Sequence, residues 1–169
     1  MSTAVPARRF RDRLDRTLEF LLAVLMAGMA LAVLWQIVTR LVLRDPSSTV
    51  EELVRFGLVW VGLLGAAYGF GRRAHLTIDL LARRLDVAGR ARLDLCTQLA
   101  VVAFALLVLV VGGIRLVDLT LDLGQTSAAL QIPRGYVYLA LPLSGAVILA
   151  YAAMDVVEGV FRPFHRERG

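Results

Sequence analysis

Four apolar stretches bounded by charged residues constrain this chain more than any other feature. Thr17–Thr39 lies between Arg16 and Arg40, and Phe56–Gly71 between Arg55 and Arg72. Leu95–Ile114 lies between Asp94 and Arg115, and Gly135–Met154 between Arg134 and Asp155. The four runs hold 23, 16, 20 and 20 residues. At about 1.5 Å per helical residue they reach roughly 34, 24, 30 and 30 Å, against a hydrocarbon core about 30 Å thick. Lipid offers no water to a backbone amide, so each amide must bond within its own segment, which demands helices. The expected fold is an all-α integral membrane protein with four transmembrane helices. They should form one domain over residues 1–169, with helices at about 17–39, 51–71, 95–115 and 135–157.

Charge sets the expected orientation. The chain is 58% hydrophobic with a net charge of +5, and all 19 of its cationic residues are arginine. A basic protein can bind nucleic acid, but these arginines gather at helix ends rather than on one polar face, so no nucleic-acid partner is expected. Fourteen arginines fall in segments 1–16, 72–94 and 155–169, and five in the intervening connections. The positive-inside rule then predicts a multi-pass protein with both termini in the cytoplasm. Trp35 and Trp60 each sit five residues from an outer boundary arginine, as an interfacial aromatic belt would place them. Ala30-Leu31-Ala32 resembles a signal-peptide cleavage site, but the apolar run continues through Val33–Val38, beyond the usual length of such a region. The first helix is therefore expected to be retained, behind a short polar leader over residues 1–16. Cys96 is the single cysteine, which excludes a disulfide within the chain.

The second helix carries the clearest surface signal. Asp45-Pro46-Ser47-Ser48 reads as a turn, followed by Glu51 and Glu52 at a helix start and Arg55 at i+4 and i+3 from them. At 100° per residue, Arg55, Leu58, Gly62, Gly65, Ala66 and Gly69 all project within about 60° of Glu51. Gly65 and Gly69 form a GxxxG, which lets membrane helices approach backbone to backbone. Glu51, Glu52, Arg55, Gly62, Gly65, Ala66 and Gly69 are therefore the candidate helix-packing or partner interface. Trp60 lies about 180° away.

The connections carry structure of their own. Ile78, Leu81, Ala82 and Leu85 recur at i, i+3, i+4 and i+7, which predicts a short amphipathic cytoplasmic helix over about 76–85. His75 and Asp79, four apart, suit a structural hydrogen bond at its start better than a metal or catalytic pair. Gly124 is a candidate helix C-cap. Pro133 should lie near the start of the fourth helix, while Pro142 should kink it. We expect no catalytic, cofactor or metal site, because there is no phosphate-binding glycine loop, no nucleophile–base pair and no cluster of ligands. Carriers and pumps keep polar or charged groups at mid-membrane. Here only Gln36 and scattered hydroxyls are available, which favours a subunit over a pump.

Several motifs together resemble one family. Glu51-Glu52-Leu53, Val59-Trp60-Val61-Gly62-Leu63-Leu64-Gly65-Ala66-Ala67 and His75-Leu76-Thr77-Ile78-Asp79-Leu80-Leu81 resemble the small membrane subunit (DctQ-like) of tripartite ATP-independent periplasmic (TRAP) transporters. Leu130-Gln131-Ile132-Pro133 and Leu139-Ala140-Leu141-Pro142-Leu143 resemble it too. The chain departs from the family pattern at Thr49-Val50, where an aromatic is common, and at Ala128, where proline is common. The resemblance implies a large membrane subunit that holds the substrate and sodium sites, and a soluble periplasmic protein that delivers an organic acid, commonly a carboxylate. It implies that the small subunit binds and extends the scaffold of the large one within the lipid bilayer. It also makes Trp60, His75, Asp79, Pro133 and Pro142 family-motif structural residues. Two other classes fit less well. A small multidrug exporter needs a mid-membrane carboxylate, and a haem-bearing anchor of a respiratory enzyme needs histidines within its helices.

Overall fold

The apolar runs become helices that extend well beyond them. A computed structural model describes residues 4–44, 47–72 and 87–161. Helix α1 spans Ala4–Val38 and ends in a π-helical turn, Thr39–Leu43. Helix α2 spans Ser48–Gly71. The third rod runs as α3 (Val87–Phe104), a π-helical stretch (Ala105–Gly112) and α4 (Gly113–Asp122). The fourth comprises a single turn, α5 (Gly135–Tyr138), and the long α6 (Ala140–Phe161). Among the described residues four helical rods are long and apolar enough to cross a membrane: Arg9–Val42, Ser48–Gly71, Leu95–Asp122 and Gly135–Val156. The segment expected as an amphipathic helix at 76–85, with His75 and Asp79, lies outside the described residues.

Two apolar clusters hold the rods together. Leu18 of α1, Leu64 of α2 and Tyr151 and Met154 of α6 form one, flanked by Leu22, Trp60 and Tyr68. Ala67 of α2, Ala105 and Leu109 of the π-helical stretch and Ile148 of α6 form the other. α6 takes part in both and is the central element. α1 packs on α2 and α6, and the third rod packs on α6 from the other side. Trp60, expected in an interfacial belt, is half-buried against the first cluster. Trp35 is 56% exposed.

Close approach between rods rests on small residues. A Cβ on Gly145 would lie 2.8 Å from Leu109 Cβ and 3.1 Å from the carbonyl oxygen of Ala105. A Cβ on Gly71 would meet the Tyr151 ring at 2.5 Å. These contacts lie elsewhere than the GxxxG of α2. With little hydrophobic drive between helices in lipid, such interdigitation is a main source of association.

The fourth rod is interrupted at Leu139, three residues before Pro142. The long helix starts at Ala140, so Pro142 falls in its first turn. The backbone stays helical through Leu139, with the Leu139 amide on the Gly135 carbonyl and the Leu143 amide on the Leu139 carbonyl, so the lost Pro142 N–H interrupts the ladder for one residue near the start of the rod. Gly124 takes φ +59° beyond α4. Its amide donates to the Leu121 carbonyl (3.0 Å), and the Gln125 amide to the Thr120 carbonyl (3.1 Å). This is a Schellman cap.

Gly145→Val should force the third and fourth rods apart and cost about 1–3 kcal/mol of stability. Gly28→Ala, where a new Cβ meets nothing within 4 Å, should be neutral. Thermal unfolding of the detergent-solubilised chain would show the difference. Equal midpoints would contradict the packing described.

Candidate functional site

The α2 helix has two unlike faces. Its buried residues are Glu52, Leu64, Ala67 and Gly71, which project between about 100° and 220° from Glu51. The small-residue stripe is centred on the opposite side. Gly62 and Ala66 are exposed, and a Cβ on Gly62, Gly65 or Gly69 would meet nothing within 4 Å. The stripe is therefore not packed against this chain's own described helices. Arg55 Nη2 donates to Glu51 Oε1 at 3.0 Å, and both side chains are largely exposed, a geometry that contributes little by itself.

Glu52, one residue along, turns inward and is 8% exposed. Its carboxylate accepts from the Ser127 hydroxyl (3.0 Å) and from the backbone amides of Ala128 (3.2 Å), Ala129 (2.8 Å) and Leu130 (3.0 Å). Three successive amides aimed at one anion make a backbone nest, here occupied by a side chain of the same protein. The loop around it closes on itself, with the Ser127 amide on the Ile132 carbonyl (2.9 Å) and the Arg134 amide on the Gln125 carbonyl (2.9 Å). Thr126 and Pro133 pair across the loop, and Gln131 adopts φ +56°. Pro133 thus belongs to this loop, just ahead of α5. Of the acidic pair, Glu51 faces outward and Glu52 fastens the connection between the third and fourth rods to the start of α2.

A second polar set lies at the opposite end of the rods, where α1 begins and α2 and α6 finish. Arg11 donates to Asp155 Oδ1 at 2.8 Å and to the Gly71 carbonyl, and lies 5.7 Å from the Tyr151 ring centroid. The Tyr151 hydroxyl donates to Asp15. Glu19 accepts from the Tyr68 hydroxyl and from Arg72 Nη2 (2.6 Å), while Arg72 Nε donates to the Tyr68 oxygen at 2.7 Å. These contacts tie the first turns of α1 to the ends of both neighbours. The sequence reading places Arg11 and Asp15 in a leader and Glu19 within the first apolar run, and so misses the set. Its signal was present, since Arg11, Asp15 and Glu19 recur every four residues on one helical face.

These arrangements can bind and fasten helices, but they offer no reacting constellation. Among the described residues there is no group of three His, Cys, Asp or Glu side chains able to hold a metal ion. No buried side-chain nitrogen or oxygen among them lacks a hydrogen-bond partner.

Comparison with known proteins identifies the architecture. The family described as tripartite ATP-independent periplasmic transporters, DctQ component, matches residues 29–162. The chain belongs to this family. It is a small permease subunit of a TRAP transporter, multi-pass in the inner membrane, and not an enzyme. A Haemophilus influenzae protein described as a TRAP transporter small permease is 24% identical over 154 residues, covering 91% of this chain and 94% of the relative. The sialic acid TRAP transporter small permease protein SiaQ of Vibrio cholerae is 30% identical over 105 residues, 62% of this chain and 61% of the relative. The isethionate TRAP transporter permease protein DctMQ of Oleidesulfovibrio alaskensis is 27% identical over 106 residues, 63% of this chain but 16% of that longer protein. Small TRAP permease subunits partner with large membrane subunits, and DctMQ carries the matching segment within one much longer permease chain.

Glu52→Ala should remove the acceptor for three amides and a hydroxyl at once. Hydrogen exchange of the Ala128, Ala129 and Leu130 amides should then accelerate, while Glu51→Ala leaves them protected. Unchanged exchange in Glu52→Ala would show that the loop holds itself.

Proposed function

We propose that the chain binds the large TRAP membrane subunit through the outward face of α2 and extends that subunit's scaffold in the bilayer. The complex would import an organic acid, commonly a carboxylate, with sodium, after delivery by a soluble periplasmic binding protein. The observation that carries the partner surface is the open stripe of Gly62, Gly65, Ala66 and Gly69. It is flat, formed by small residues and turned away from the chain's own rods. Small residues suit close helix association in lipid. The Vibrio relative is named for sialic acid, itself a carboxylate, which supports the substrate class. Specificity would reside in the other two proteins, because this chain's described ionisable clusters lie near rod ends and are engaged with its own residues.

The arginine distribution supports both termini in the cytoplasm. In that orientation the Glu52-fastened loop faces the periplasm and the Arg11–Asp155 set faces the cytoplasm. A reporter fused at residue 88 should read as cytoplasmic, and one within residues 116–133 as periplasmic. The reverse pattern would overturn the orientation.

The stripe is tested by comparing Gly65→Leu with Trp60→Phe. Gly65→Leu should change the thermal stability of the isolated chain little, because the new side chain starts from a Cβ with nothing within 4 Å on the outward side of α2. It should nevertheless sharply reduce co-purification of the large subunit. Arg55→Ala should likewise matter only in the complex, and Trp60→Phe should retain the partner. A full yield of active complex with Gly65→Leu would exclude the stripe as the interface. In liposomes the isolated chain should not take up organic acids, and adding the large subunit and the binding protein should restore sodium-dependent uptake.

A further inference from the structure

The face of α1 that points away from the other rods has a graded chemistry. Arg11, Leu14, Asp15, Leu18 and Leu22 project toward α2 and α6, within about 60° of one side of the helix. Arg9, Arg13 and Arg16 project from the opposite side at i, i+4 and i+7, and all three are exposed. Farther along α1 that same side carries Phe20 (72% exposed), Leu31 (67%) and Leu34 (58%). Among the described residues none of the three guanidiniums makes a hydrogen bond or ion pair within the chain. Asp12 is exposed on the flank of the same face and Glu19, three residues beyond Arg16, is held by Tyr68 and Arg72, so the patch keeps a net positive charge.

We propose that Arg9, Arg13 and Arg16 form a binding surface for the headgroups of anionic phospholipids, with the acyl chains lying along Phe20, Leu31 and Leu34. The spacing fits a bilayer. Arg16 stands one residue outside the apolar run, and Arg9 lies about 10 Å farther along the axis, so the three arginines run through and just past a headgroup layer roughly 5–8 Å deep. The arginine cluster also separates this face from the α2 stripe. Large exposed apolar chains, interspersed with the exposed Ala23 and Ala27, lead away from a basic patch that the α2 stripe lacks, and that charge complements anionic headgroups. Arginine clusters at the end of a membrane helix draw anionic lipids electrostatically, so the selectivity weakens with salt. Meanwhile Arg11 and Asp15, on the opposite side, fix α1 against α2 and α6 and so keep the basic face pointing outward. The inference rests on the chain lying in a membrane and not on which surface meets the large subunit.

The test is native mass spectrometry of the full chain released from mixed micelles holding phosphatidylglycerol, cardiolipin and phosphatidylcholine. The wild type should carry the anionic lipids in excess over phosphatidylcholine, and less so as salt rises. The triple variant Arg9→Gln, Arg13→Gln, Arg16→Gln should lose that excess by on the order of tenfold or more. Replacing the same three by lysine should retain it, which separates lost charge from misfolding. The pair Arg40→Gln, Arg44→Gln, exposed at the far end of α1, should retain most of it. Inorganic phosphate at constant ionic strength should displace none of the bound lipid. Unchanged selectivity in the triple variant would overturn the proposal, as would equal loss in the control pair or displacement by phosphate. So would loss of the large subunit from the triple variant with lipid selectivity intact, because the face would then belong to a protein partner.

Discussion

The constraint on which the rest depends is the exclusion of water from the bilayer core. It requires every spanning segment to bond its own backbone, which makes helices, and it drives ionisable side chains toward the rod ends. The protein uses those displaced charges as fasteners. At one end Glu52 collects three backbone amides and a hydroxyl from the loop before α5. At the other, Arg11, Asp15 and Glu19 bond the ends of α2 and α6. Between these polar anchors the rods are held by apolar contact and small-residue packing, with Tyr151 at the boundary engaging both.

Both α1 and α2 divide their circumference between the inside and the outside of the protein, but in different chemistry. The inner side of α2 carries Leu64 and Ala67 in the two clusters, and its outer side is a small-residue stripe. The outer side of α1 is basic at one end, with large apolar side chains interspersed with Ala23 and Ala27 beyond it. A small surface invites another helix backbone, and a basic helix end suits anionic headgroups. A small TRAP subunit must meet both a protein partner and lipid, and these two faces are suited to the two tasks.

The Glu52 loop shows how one carboxylate can organise a connection that has little hydrophobic material of its own. Residues 123–134 span the gap between two rods with Gly124 and Gln131 in left-handed conformations. The nest formed by Ala128, Ala129 and Leu130 points its amides at one place, and a charged acceptor strengthens each of those bonds. Because the carboxylate belongs to α2, the loop also records where α2 begins.

The sequence alone determined the number of spanning rods, because run length and apolarity are enough to identify a segment that can cross lipid. It also placed the stripe of Gly62, Gly65 and Gly69 on one face, since helical periodicity fixes angle from spacing. It marked Gly124 as a cap. Tertiary structure decided which way each face points, because periodicity fixes relative angles and not the position of neighbours. It parted Glu51 from Glu52 and gave the latter partners more than seventy residues away. It placed the interruption that Pro142 causes at Leu139, near the start of the fourth rod, where the backbone nevertheless stays helical. The π-helical stretch Ala105–Gly112 lay beyond sequence reading for a simple reason. Where every residue is apolar, no hydrophobic pattern distinguishes an i→i+4 ladder from an i→i+5 one.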